Sequence, residues 1–105
     1  YGMNAYYAGK HWALRKKDAE LWHWLTLAAM NAQGVRRTPF KLPVAVTFYW
    51  NDRLDIDNHA IMGKMIVDAM KGRVIEDDNR RWLKSVSHNF HDEDYIQVEI
   101  REVRP

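Results

Sequence analysis

The sequence predicts an α+β domain, a small mixed sheet with a C-terminal hairpin packed against two main helices. Three observations point there. Leu14, Leu21, Leu25 and Ala28 recur at helical spacing. The run from Leu42 to Trp50 is apolar on both alternating sets, as suits a strand that is central in its sheet or covered on both faces. Ile96, Val98 and Ile100 alternate with Tyr95, Gln97, Glu99 and Arg101, the pattern of a half-exposed strand. The predicted order is α-β-α-β-β, and the 105 residues fit one domain.

Tyr1 to Gly9 is rich in Tyr, Gly and Asn without periodicity and reads as a loop. A long helix follows, about His11 to Ala32, with Trp22 and Trp24 widening its apolar surface. Arg15, Lys16 and Lys17 lie in its first turns, where the helix dipole does not favour cations. They read equally as a solvated face or as a phosphate-facing one. Gly34 ends the helix, and Val35 to Pro39 is a basic connector. Pro43 sits near the start of the next strand, where a missing donor is tolerated. Asp57 or Asn58 is placed to cap the second helix, about His59 to Met70, whose apolar face is Met62, Met65, Ile66 and Ala69. Gly72 suits a helix stop, Arg73 to Ile75 is short and extended, and Glu76 to Asn79 is a turn. Trp82 to Phe90 and the strand after His91 to Asp94 form the predicted hairpin.

Composition narrows the function. Hydrophobic content of 47%, with five Trp, excludes a disordered chain. No apolar run is long enough to cross a membrane, and no secretory signal is visible. The lack of Cys excludes disulfides and thiolate zinc sites and is compatible with the cytosol. The net charge of +2 conceals a segregation. Basic residues gather at Arg15 to Lys17, at Arg36-Arg37 and at Arg80-Arg81 with Lys84. Acids gather at Asp55/Asp57, Glu76 to Asp78 and Asp92 to Asp94. Acid within a basic surround suits a metal-dependent enzyme acting on polyphosphate. The bases attract the backbone, and a cation must cover the acids before phosphate approaches.

The stretch Arg53 to Asn58, RLDIDN, carries most of this chemistry. In an extended segment Asp55 and Asp57 point to one side and reach one hard divalent cation through oxygen. Asp78 supplies a third ligand if its turn folds back, with Asp77 and Glu76 as alternatives. Lys64 lies two turns beyond Asp57 on nearly the same helix side. It is placed either to contact the scissile phosphate and stabilise charge, or simply to pair with Asp68 at i+4. An EF-hand does not fit, because Ala60 stands where that loop requires glycine. His88 and His91 match no zinc spacing, and His11 and His59 read as structural or DNA-facing.

RLDIDN, the helix with Lys64 and Asp68, and VIEDD at Val74 to Asp78 together resemble the RusA-type Holliday junction resolvases, endodeoxyribonucleases common in phages and prophages. The opening NAYYAGKHWALRKK and the closing YIQVEI are similar to phage members of that group, so the resemblance spans nearly the whole chain. It implies that residues 1–105 are a single RusA-like endonuclease domain, lacking the strand that family members carry before the region of Asn4. It also implies a homodimer dependent on Mg²⁺, with Mn²⁺ as substitute, that nicks two symmetry-related strands of a four-way DNA junction. The three essential acids of the family match Asp55, Asp57 and Asp78, and its important lysine matches Lys64. The best-known form has two residues between asparagine and lysine, whereas His59 to Gly63 here makes five. Lys10, Arg15, Lys16 and Arg81 are the expected backbone contacts. No membrane and no small-molecule cofactor is expected, and the place of action is the cytoplasm of a bacterial host. A junction-binding protein without catalysis, and a small metal-dependent phosphatase, are the alternatives.

Overall fold

The computed structural model describes residues 2–8 and 19–104, with side chains from residue 20 onward. The elements run β1 (Gly2–Ala8), α1 (Ala19–Ala32), β2 (Val44–Trp50), a 3₁₀ turn (Ile56–His59), α2 (Ala60–Met70), β3 (Leu83–Phe90) and β4 (Tyr95–Glu102). The fold is α+β with a mixed sheet, as the sequence pattern predicts. The four strands lie in the order β1-β4-β2-β3. β4 is antiparallel to both β1 and β2, while β3 runs parallel to β2.

Two expectations are corrected here. The segment read as a loop is strand β1, paired with β4 from Gly2 opposite Arg101 to Ala8 opposite Tyr95. A strand before the first helix is therefore present. Its order comes from backbone pairing with β4, which its own mixed sequence does not announce. The predicted C-terminal hairpin also does not form, because β2 lies between β3 and β4. The short link from residue 91 to residue 94 instead passes over the end of β2. The amide of His91 donates to Trp50 O (3.0 Å) and Asn51 Nδ2 donates to Glu93 O (2.8 Å). The sorting follows polarity. β2, apolar on both sets, takes an inner place, and β3, with Ser85, Ser87 and Asn89 exposed, takes the edge.

One face of the sheet is the core. Val44, Val46, Phe48 and Trp50 of β2 and Ile96, Val98 and Ile100 of β4 pack with Trp22 and Met30 of α1 and with Met62, Ile66, Val67 and Met70 of α2. The buried face of α1 is Trp22, Thr26 and Met30; the Leu21, Leu25, Ala28 stripe is only half-buried or exposed. Thr26 is accommodated because its hydroxyl donates to Trp22 O (2.7 Å), the back-bond open to a mid-helix threonine. α1 ends where predicted. Gly34 adopts φ +64°, a left-handed stop, and the Val35 amide donates to Met30 O (2.9 Å). Arg73 to Ile75 is a turn closed by a Lys71–Ile75 bridge, with Val74 and Ile75 in the core. No helix among the described residues is long and apolar enough to cross a membrane.

Candidate active site at the entrance of the second helix

The acid loop joins the inner strand β2 to α2. Asp55 is extended (φ −63°, ψ 150°) and precedes the 3₁₀ turn, while Asp57 lies within that turn. The two are therefore not successive positions of one extended segment, and the period-two argument does not apply. Neither Asp57 nor Asn58 caps α2, since the chain enters it directly through the 3₁₀ turn and no side-chain cap bond forms. Both Asp55 and Asp57 are exposed. Among the described residues their carboxylates have no hydrogen bond or ion pair. They stand at the positive end of the helix dipole, which favours acids.

The loop is tied down by a pair that sequence spacing did not reveal. His59 is fully buried, and its Nε2 donates to the Asp52 carboxylate, 2.9 Å from each oxygen. Its Nδ1 lies 3.1 Å from Ile56 O. Each ring nitrogen thus faces an oxygen acceptor. Asp52 Oδ1 also accepts from the Leu54 amide (2.9 Å). The His59 ring packs on Trp50 (4.5 Å between centroids) and edge-on to Phe90 (5.6 Å), which fastens the turn to β2 and β3. Asp55 and Asp57 hang between these anchors.

Asp78 belongs to a different cluster. Lys64 Nζ lies 3.6 Å from Asp78 Oδ2 and 3.4 Å from Asp68 Oδ1. Lys71 Nζ lies 3.6 Å from Asp78 Oδ1 and 3.4 Å from Asp68 Oδ1. The i+4 pairing of Lys64 with Asp68 and its reach to the acidic turn therefore coexist. Partial burial opposes ionisation of Asp78. Lys71, a hydrogen bond with Asp77, Lys64 and its own backbone amide outweigh that and hold the carboxyl below the usual carboxylate range. The hydrogen bond to Asp68, opposed by desolvation and reinforced by the charges of Asp68, Asp78 and Asp77, raises Lys71 above its ordinary value. Asp77 shapes the turn: Oδ1 accepts from the Asp78 amide (2.8 Å) and Oδ2 from Asn79 Nδ2 (3.3 Å). Of the two neighbouring aspartates, Asp78 is the one aimed at Lys64.

The three carboxylates are thus not gathered into one cage. Among the described residues no group of three or more His, Asp or Glu side chains is arranged to hold a metal ion. Asp55 and Asp57, exposed and unpaired among the described residues, offer the oxygen donors that a hard divalent cation takes. Mg²⁺ is commonly held by one or two carboxylates with waters and substrate phosphate completing its shell.

α2 and β3 enclose a pocket of about 300 Å³ beside this cluster. Gly63, Lys64 and Val67 line its helix side, Val86 and His88 its strand side, and Asp78 also borders it. Asp57 precedes Ala60, another lining residue, by one turn. Of the expected DNA contacts, Arg81 is exposed, its guanidinium 5.0 Å from the centre of the Trp82 ring. Lys10, Arg15 and Lys16 lie outside the described residues. Arg73, by contrast, is structural: it donates to Val35 O, Arg36 O and Asn31 Oδ1 and so fixes the connector after α1. A scan of family models finds no match for this chain, and a search of curated proteins finds no relative.

Proposed function

We propose that this protein is a divalent-cation-dependent endonuclease that resolves four-way DNA junctions by paired hydrolytic nicks. One observation carries the reading. Asp55 and Asp57 stand exposed and, among the described residues, unpaired at the entrance of the helix that carries the exposed Lys64. The ordered resemblance of RLDIDN, Lys64 and VIEDD to the RusA-type resolvases supports it. Asp55 and Asp57 would hold Mg²⁺ or Mn²⁺, which when bound lowers the pKa of a water and draws charge from the phosphate. Asp78 would join only by giving up its lysines.

Lys64, 69% exposed at its side chain, is free to swing from Asp78 to a phosphate oxygen and offset charge as it develops. The water oxygen bonds to phosphorus, the bond to the 3′ oxygen breaks, and that oxygen takes a proton. The products are a 5′-phosphate and a 3′-hydroxyl. Arg81, and Lys10, Arg15 and Lys16 where they meet DNA, position the backbone. A two-fold dimer would match a symmetric junction, and the reaction belongs in the cytoplasm of a bacterial host cell.

A synthetic four-way junction incubated with the protein and Mg²⁺ or Mn²⁺ is nicked, whereas linear duplex is spared. Asp57→Asn and Asp55→Asn bind the junction and leave it intact. An Asp57→Asn protein that nicks at the wild-type rate sinks the proposal. The engagement of Asp78 by two lysines favours one second reading, a junction-binding protein without catalysis. It predicts the same binding with no nick under either metal.

A further inference from the structure

The pocket between α2 and β3 holds a histidine set with unusual care. Trp50 Nε1 donates to His88 Nδ1 (3.1 Å). An indole N–H is only ever a donor, so Nδ1 carries no proton and the remaining proton of the neutral ring sits on Nε2. Phe48 stacks on the ring at 5.2 Å with planes 10° apart. The ring also rests against Gly63, where an added Cβ would meet His88 Cε1 at 2.9 Å. A glycine in mid-helix is unfavourable relative to alanine, and here the space it leaves is taken by the His88 and Phe48 rings. Burial, followed by the charge of His59, holds the imidazole below its ordinary pKa. The outcome is a neutral ring with one Nε2–H donor that no described residue engages.

The surroundings say what that donor can take. The pocket is of about 300 Å³, at the small end for small-molecule sites. It has room for one heteroaromatic ring system and none for a duplex. Val67, Leu83 and Val86 give it apolar walls. A phosphate, strongly hydrated and anionic, matches neither those walls nor a neutral imidazole; it matches Lys64, which borders the same pocket. A nucleobase matches both features, a flat apolar face for the walls and an edge rich in acceptors for the donor. Its own phosphate would then fall beside Lys64. Taking a base out of the stack costs unstacking and unpairing, and at a branch point the continuous stack is already interrupted.

We infer that the α2–β3 pocket receives one nucleobase extruded at the branch point, and that His88 selects it by donating Nε2–H to a base acceptor. The inference rests on the nuclease reading for its substrate, but its test is separable. Junctions that differ only in the nucleotides flanking the branch point are compared for cleavage by wild type, His88→Ala and Val86→Phe. The second variant fills the pocket from an exposed position and leaves the Trp50 bond alone. A single well-made base contact is worth about tenfold in discrimination. The ratio of best to worst junction therefore shrinks about tenfold in either variant. A ratio unchanged in both, or a wild-type ratio of one, overturns the inference. In parallel, 2-aminopurine at the branch point reports unstacking during binding in EDTA. Its fluorescence rises with wild type and fails to rise with Val86→Phe; no rise with wild type overturns the pocket's role. Absence of any nicking under either metal would refute the nuclease reading alone, since the fluorescence still decides the pocket.

Discussion

Gly63 has no side chain, and the space so left is what admits the His88 ring against α2. Two effects compete in Gly63→Ala. Helix propensity favours alanine by about 1 kcal/mol. Against it, the new methyl would stand 2.9 Å from His88 Cε1 and 3.2 Å from Phe48 Cε2, both atoms of stacked rings rather than of flexible chain ends. Overpacking of a filled site costs about 1–3 kcal/mol, so the clash wins and the variant is less stable by roughly 1 kcal/mol. A urea midpoint that falls with unchanged slope is the expected reading. A raised midpoint would mean that the ring gives way freely. His88 itself was not legible in the sequence. Its placement depends on Trp50, 38 residues away, and on an absent side chain, and neither leaves a mark at position 88.

Among the elements, the 3₁₀ turn decides whether the acid loop is a site or a surface turn. Asp52 fastens its near end to Leu54, and His59, which closes the turn, is fastened to Asp52. Asp52→Ala strips a fully buried histidine of its carboxylate partner. Breaking such a pair costs about 3–5 kcal/mol when both groups are buried, and nearer 3 here because Asp52 retains 15% exposure. Asp55 and Asp57 also lose their mount. Asp52 and His59 do not bond to either acid and act on them through the backbone of the turn; direct partners of metal ligands are worth about 10–100-fold, and the low end of that range is expected here. Metal-dependent nicking should therefore fall about tenfold or more, while junction affinity in EDTA changes little, measured at a temperature where the variant is folded. Equal losses in both would make Asp52 merely structural. The contrast shows where local pattern suffices. The approach of Lys64 to the acidic turn was legible, because spacing along a helix survives folding, whereas the shared site expected of Asp55, Asp57 and Asp78 does not assemble. The Asp52–His59 pair was not legible, because it spans a 3₁₀ turn that the extended reading of the loop excluded. Likewise β2, α2 and β4 were legible from periodicity. β1 was not, since β4 supplies its partners, and the hairpin was misjudged because nearness in sequence suggested pairing that β2 had already taken.

For the molecule as a whole, the sheet separates two surfaces. One face is filled by α1 and α2, and the candidate site lies where α2 meets the edge strand β3, away from β1. Arg80 and Arg81 lead into β3, Lys84 is its second residue, and all three are exposed, so a strand of DNA seated at the pocket would pass near cations although the net charge is only +2. Each phosphate neutralised releases counterions, so the logarithm of the junction affinity should fall linearly with the logarithm of salt concentration. Arg81 is exposed just before β3, its guanidinium over the Trp82 ring. Arg81→Gln should weaken binding by a similar factor for every junction sequence and make the salt slope shallower by about one. His88→Ala should do the opposite, changing the preference among junctions and leaving the slope as it was, because a neutral donor releases no counterion. Titrations of both variants against two junction sequences across a salt series separate the two roles. If Arg81→Gln altered preference while the slope stayed at the wild-type value, the division between a phosphate-holding rim and a base-reading pocket would be wrong.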